Sequence, residues 1–267
     1  MRKSFFAESI RIRKRCSKNQ LSSLDVSNNL ALTELECSTN LLTELDVTKL
    51  TALTKLDCVI NQLRKLDVSN NAELRQFWCD DNQLSTIDVS NNKKLESFGC
   101  GNNQLTAIDI SNNPALTSLW CNGNQLSSLD VSNQPELQSI YCDMNAIKGQ
   151  SMEVFIKSLP RLSYGWMSII DLSSSDEQNA ITRTQVLAAK EKGWKLVDEN
   201  GNEYNGIIIA GDANGDGEVT ADDVNVVCAY ILGQLPDDQP FDEESADVSN
   251  DGTVDIVDVT RLIELVK

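Results

Sequence analysis

The chain has 267 residues, with 40 acidic and 23 basic side chains and no histidine, for a net charge of −17. That length accommodates two domains with cores of their own. The acidic balance, with no basic stripe and no aromatic–basic motif, argues against a nucleic-acid partner, and no apolar run approaches the roughly 18 residues that span a membrane.

The N-terminus, Met1-Arg-Lys-Ser-Phe-Phe-Ala-Glu-Ser-Ile10, begins with basic residues but lacks the continuous apolar core of a signal peptide. Arg11-Ile-Arg-Lys-Arg15 follows, and Arg11 and Lys14 stand where later units place Leu. Residues 1–15 are therefore expected to be a non-repeat segment or a frayed first coil.

Seven cysteines then fall at positions 16, 37, 58, 79, 100, 121 and 142, a constant step of 21. Around them runs Leu-x-x-Leu-x-Cys-x-x-Asn-x-Leu, clearest in Leu116-Thr-Ser-Leu-Trp-Cys-Asn-Gly-Asn-Gln-Leu126, and Asn19, Asn40, Asn61, Asn82, Asn103, Asn124 and Asn145 are all present. The pattern resembles the leucine-rich repeat signature. It implies a solenoid over residues 16–147, with parallel strands about 4.8 Å apart and Leu and Cys pointing inward. Each Asn is placed to bond the turn backbone. The second half of each unit, as in Leu105-Thr-Ala-Ile-Asp-Ile110, echoes the first, so two extended segments per coil are expected.

A fixed 21-residue step makes a line of thiols, not a converging metal cluster, so the cysteines read as small apolar core residues. Asp25, Asp46, Asp67, Asp88, Asp109 and Asp130 form a second ladder. Neighbouring Ser and Thr hydroxyls and hydration are expected to relieve its repulsion without a metal. The position before each Cys varies most: Glu36, Asp57, Trp78, Gly99, Trp120 and Tyr141. With Arg75, Asp80, Asp81, Asn122 and Asp143 nearby, Asp57, Arg75, Trp78, Trp120 and Tyr141 make a candidate ligand face for a protein or glycan. The alternative is that the rings cover neighbouring coils. Gly99 interrupts the row, and a slot between rings is expected there.

Residues 148–204 read as a C-terminal cap. Phe155, Ile156 and Leu159 mark a helix ending at Pro160, and Ser168-Ile-Ile-Asp-Leu172 a strand. Thr182-Arg-Thr-Gln185 is a capping-box pattern opening a helix that stops at Gly193, and Trp194-Lys-Leu-Val-Asp198 a final strand. Such a unit resembles the cap that follows 21-residue repeats. The apolar centre of residues 205–211 points to docking against it.

Residues 205–267 carry 15 acidic and two basic side chains, so −13 of the −17 sits there. Within them Asp212-Ala-Asn-Gly-Asp-Gly-Glu-Val-Thr-Ala-Asp-Asp223 returns 35 residues later as Asp247-Val-Ser-Asn-Asp-Gly-Thr-Val-Asp-Ile-Val-Asp258. Oxygen-bearing side chains occupy loop positions 1, 3, 5, 9 and 12, with Gly at 6 and a backbone carbonyl offered at 7, the ligand order of a calcium loop. Two Ca2+ ions are expected. One is assigned to Asp212, Asn214, Asp216, Glu218, Thr220 and Asp223. The other is assigned to Asp247, Ser249, Asp251, Thr253, Asp255 and Asp258. A short helix candidate follows each loop, at Val224, Val227, Tyr230 and Ile231 and at Val259, Leu262, Ile263 and Val266.

The duplicated loop, the half-hand layout and Tyr-Ile-Leu-Gly233 resemble a type I dockerin. That resemblance implies a calcium-folded module that binds a cohesin domain on another protein through Ala221, Asp222, Ile256 and Val257. These are not the small hydroxyl residues common in the family, so an altered partner specificity follows. The expected fold is α+β and multidomain: a β-rich leucine-rich repeat solenoid, an α/β cap, and a small α-helical dockerin with two calcium loops. The expected function is that of a non-enzymatic, secreted or surface binding protein. Competing readings are an enzyme, which the dockerin resemblance raises because such modules are most often appended to polysaccharide-degrading catalytic domains, an adhesin whose dockerin docks on its own chain, and an accessory component of a polysaccharide-degrading complex.

Overall fold

In the computed structural model, residues 12–267 are described. Each coil contributes one short strand at the Leu-x-Cys segment: β1 Ile12–Arg15, β2 Leu32–Glu36, β3 Lys55–Asp57, β4 Gln76–Trp78, β5 Ser97–Gly99, β6 Ser118–Trp120 and β7 Ser139–Tyr141. The cap adds β8 Gly165–Ile170 and β9 Trp194–Asp198, and all nine strands pair in sequence order as one parallel sheet. Pairing sets Leu35, Leu56, Phe77, Phe98, Leu119, Ile140 and Met167 in one column. That column is fully buried, and the Phe77 and Phe98 rings stack with centroids 5.5 Å apart.

Two expectations are corrected. The segment Ile12–Arg15 lies in the sheet, paired parallel to β2, so the solenoid begins before residue 16. Lys14 stands opposite Leu35, at the core column's position, and its ammonium reaches Asp25 O and Asn29 Oδ1. The rest of the non-repeat segment, residues 1–11, lies outside the described residues. The second half of each coil is not a strand. Its backbone closes into turns such as Asn92 N–H to Val89 O and Leu95 N–H to Asn92 O, and its links to the neighbouring coil are single bonds, such as Gln104 N–H to Leu84 O, with no strand ladder.

Two side-chain ladders satisfy the buried backbone between coils. Asn61 Nδ2 donates to Cys58 O at 3.0 Å and to Cys37 O of the preceding coil at 3.1 Å, while its Oδ1 accepts the Leu42 N–H. The same three contacts recur at Asn82, Asn103, Asn124 and Asn145. Across the core, Asn71, Asn92 and Asn113 donate in the same between-coil manner, with Gln134 continuing the column. The cysteines from Cys37 to Cys142 are buried and unpaired by disulfides, and burial pushes the Cys37 thiol up to about 12.

The cap closes the open apolar end of the stack. Helix α1 (Gly149–Ser158) buries Met152, Phe155 and Ile156, and α2 (Arg183–Glu191) buries Val186 and Ala189. Lys192 Nζ joins them by donating to the carbonyls of Ile156, Lys157 and Leu159 at the end of α1. Gly193 is required by a backbone approach, because a Cβ there would lie 2.1 Å from Leu162 O at φ +87. The C-terminal module holds α3 (Ala221–Ile231), the single turn α4 (Glu243–Ala246) and α5 (Ile256–Leu265) around a separate core of Ala213, Val227, Ala246, Val259 and Leu262. The turn α4 was not foreseen. Among the described residues no helix is long and apolar enough to cross a membrane.

Candidate metal loops and strand face

The two acidic loops fold as near copies. In the first, Asp212 Oδ2 accepts the Gly217 N–H at 2.9 Å, and Asp223 accepts Asn214 N–H and Thr220 N–H at 3.1 and 2.8 Å. In the second, Asp247 Oδ2 accepts Gly252 N–H, and Asp258 accepts Ser249 N–H and Asp255 N–H at 2.8 and 2.9 Å. Position 12, although Asp and not the longer Glu, is thus drawn over the loop with both oxygens engaged. Gly217 and Gly252 at position 6 adopt φ +94 and +86, which explains the Gly at that turn.

The fit to a cation is clearest in the first loop. Asp212 Oδ1 is buried without a hydrogen-bond partner, and Asp223 is fully buried. Burial pushes Asp212 up to about 6, against the Gly217 N–H, with repulsion from Asp223 and Asp216 adding to it. A divalent ion supplies what such an orphaned carboxylate oxygen lacks. The second loop is more open. Despite some desolvation, N–H groups of Gly252 and Asp251 hold Asp247 below its ordinary range. Among the described residues no three carboxylates or thiols converge to hold a metal alone. The position-9 side chains have another partner: Thr220 and Asp255 cap α3 and α5, accepting Asp222 N–H and Val257 N–H. Ala221, Asp222, Ile256 and Val257 are exposed, with Ile256 at 67%.

The strand face is graded along the solenoid. Its N-terminal part is ion-paired, Arg13 to Glu34 and Arg15 and Lys55 to Glu36, and Arg75 binds Glu96. Its C-terminal part is aromatic. Trp120 and Tyr141 stack at 5.6 Å, and Tyr141 meets Trp166 at 4.6 Å. Trp78, under the Lys55 ammonium at 5.4 Å, stands apart from that series. These rings are half-exposed. Trp166, in the cap, was not foreseen, since it lies outside the repeat period.

The expected slot at Gly99 is absent. A Cβ there would lie 2.4 Å from Asp80 Oδ2 and 2.8 Å from Trp78 Cδ1, so those side chains already fill the space. The Asp80 carboxyl turns inward to accept the Gly101 N–H at 2.8 Å, and burial pushes it up to about 6. Burial also raises Asp57 and Asp143, the latter bonded by Ser168 Oγ at 3.0 Å. The outer ladder behaves plainly. Asp25, Asp46, Asp67, Asp88, Asp109 and Asp130 each accept the N–H two residues on, at 2.8–2.9 Å.

The strand stack and its asparagine ladders define a leucine-rich repeat solenoid, and the paired loops with their exit helices define a dockerin-type module. Comparison agrees: residues 93–134 match the model for leucine-rich repeats in two copies, and residues 210–267 that for the dockerin type I domain. The chain is a leucine-rich repeat protein joined to a type I dockerin. Among solved structures, the functional domain of InlJ from Listeria monocytogenes, described as including a cysteine ladder, is 35% identical with a TM-score of 0.57. The match covers 67% of this chain and 42% of that one, so this chain spans less than half the length of that relative. An internalin C2 from Listeria monocytogenes is 24% identical over 51% of this chain and 63% of its own, with a TM-score of 0.48. A leucine-rich repeat protein from Leptospira interrogans is 21% identical over 72% and 60%, also at 0.48. No curated protein matches the chain. Both modules are of a kind that typically binds and does not catalyse, and dockerins are typically found on extracellular or cell-surface proteins.

Proposed function

We propose that this chain is a non-enzymatic, secreted or surface-held binding protein. The repeat face takes up a protein or glycan, and the dockerin attaches the chain to a cohesin-bearing partner. The observation that carries the reading is the half-exposed stack Trp120–Tyr141–Trp166 on the strand face, in one chain with a dockerin whose Asp212 Oδ1 is buried and unpartnered. Rings in that setting offer contact area at little entropic cost, and flanking acids orient the ligand.

Two Ca2+ ions are assigned. The first falls to Asp212, Asn214, Asp216, Asp223 and the Glu218 carbonyl, the second to Asp247, Ser249, Asp251, Asp258 and the Thr253 carbonyl. Thr220 and Asp255 at position 9 act through water, because their side chains cap the helices. Ala221, Asp222, Ile256 and Val257 form the cohesin-facing edge. An accessory role in a polysaccharide-degrading complex is the narrower form of this reading. The test is capture from culture supernatant or surface extract on the immobilised chain, with calcium and with chelator. A cohesin-bearing protein retained only with calcium is the expected result. Identical capture under both conditions would remove the calcium-dependent attachment.

A further inference from the structure

The capping box that opens α2 does more than cap a helix. Thr182 Oγ1 accepts the Gln185 N–H at 3.2 Å and Gln185 Oε1 accepts the Thr182 N–H at 3.0 Å, closing the box. The Thr182 hydroxyl and the Gln185 amide nitrogen remain free to donate, and both reach the first acidic loop. Thr182 Oγ1 donates to Gly215 O at 2.7 Å, and Gln185 Nε2 donates to Asp216 O at 3.1 Å. A helix N-cap is ordinarily wet, yet these two residues are each 4% exposed, because the loop covers them.

The surrounding fit is equally specific. Thr184 occupies the space where Gly215, at φ +73, lacks a Cβ, and its own Cβ would be 2.2 Å away. Gly217 lies against Gly149, with the Gly149 Cα 3.1 Å from the place of a Cβ. Ile207 pairs with the cap through Ile181 O and Arg183 N–H, and Arg183 joins Glu244 at 2.6 Å. The chain therefore leaves the cap and enters the first loop at Asp212 without a free linker. Among the described residues the second loop has no such neighbour, and a Cβ on Gly252 would meet nothing within 4 Å.

We propose that the dockerin is clamped to the solenoid cap through its first calcium loop, so that calcium in that loop and docking on α2 reinforce each other, while the second loop loads independently. The inference rests on the calcium-module reading above. The physical link is the loop backbone. The left-handed turns at Gly215 and Gly217 that wrap Asp212, Asn214 and Asp216 around an ion are the same turns that present Gly215 O and Asp216 O to the cap. An ion that fixes this conformation preorganises the docking surface, and docking preorganises the loop. Linkage requires the effect to be equal in both directions.

The test uses the full chain. Hydrogen exchange is followed at residues 182–186 and 205–209 during a Ca2+ titration, and calorimetric Ca2+ binding is compared with that of Thr184→Phe. That neutral wedge enlarges a partly exposed residue of α2 that is not itself an assigned calcium ligand. The expected result is protection of 182–186 that rises with the tighter ion, and a Thr184→Phe variant whose tighter site is weakened about tenfold with the weaker one unchanged. Should the variant not fold, the exchange experiment on the native chain decides alone. Two ions bound with no change in protection, or a tighter site indifferent to the wedge, would overturn the clamp and leave the calcium module standing. No calcium uptake at all would overturn both.

Discussion

In every coil the second residue after the cysteine sits in the left-handed region, at Lys18, Thr39, Ile60, Asp81, Asn102, Gly123 and Met144. Glycine serves this turn once, and Ile60, at φ 54 and 49% exposed, is the worst suited because its branched Cβ crowds the backbone. Ile60→Gly is expected to raise unfolding stability by about 1 kcal/mol, since relief of strain exceeds the entropic cost of Gly. Denaturant titration checks it, and a destabilised variant would show that the Ile60 side chain contributes packing. Asp80 sets a pH dependence. Its folded value is raised to about 6 from an ordinary 3.8, so its contribution is full below 3.8 and is lost as pH rises through 6. Asp80→Asn keeps an acceptor for the Gly101 N–H without a charge to bury. It should match the native chain at pH 4 and exceed it at pH 7 by on the order of 1 kcal/mol, discounted for the carboxyl's exposed edge. Equal melting temperatures at both pH values would mean that Asp80 is ionised and well solvated.

At the scale of elements, the acidic loops and the coils should respond differently to chelation. Each loop gathers carboxylates over one turn, while the coils are held by apolar side chains and asparagine ladders. Removing calcium is expected to lower or abolish the unfolding transition of the dockerin and leave that of the repeats in place. Ions at a hundredfold their dissociation constants contribute about 2.7 kcal/mol per site. A single calorimetric transition indifferent to chelator would contradict it. The elements that could be read ahead were those whose signal is local or strictly periodic: the Cys and Asn steps of 21, the two loops, the Thr182–Gln185 box and β9. The second half of each coil misled, because Leu105-Thr-Ala-Ile-Asp-Ile110 alternates like a strand. The Asp109 carboxylate instead takes the Ser111 N–H and turns the chain. The filled space at Gly99 depends on Asp80, 19 residues earlier. The clamp on Gly215 depends on Thr182, 33 residues earlier. Neither contact leaves a local trace in the sequence.

At the scale of the molecule, the solenoid supplies a long parallel face, and the dockerin is attached to the cap, away from that face's charged end. The aromatic stack runs from β6 into β8, so the binding surface proposed above would belong to solenoid and cap together. A ligand there would rest on Trp120, Tyr141 and Trp166, with Asp143 held by Ser168 behind them. Trp78 is separated from the series by Gly99 and paired with Lys55, so it should matter less than its place in the column suggested. Replacing Trp120 and Tyr141 with Ala is expected to weaken ligand capture by at least 2 kcal/mol, as central aromatic anchors do, with Trp78→Ala costing under half of that. Calcium-dependent capture of a cohesin-bearing partner should be unchanged in all three variants, because Ala221, Asp222, Ile256 and Val257 lie exposed on α3 and α5, whose core is separate from that of the solenoid. Binding isotherms for each variant against both partners separate these outcomes. If the Trp120 and Tyr141 changes left ligand capture intact, the rings would serve only to cover neighbouring coils, and the repeat array would be a spacer that carries the dockerin.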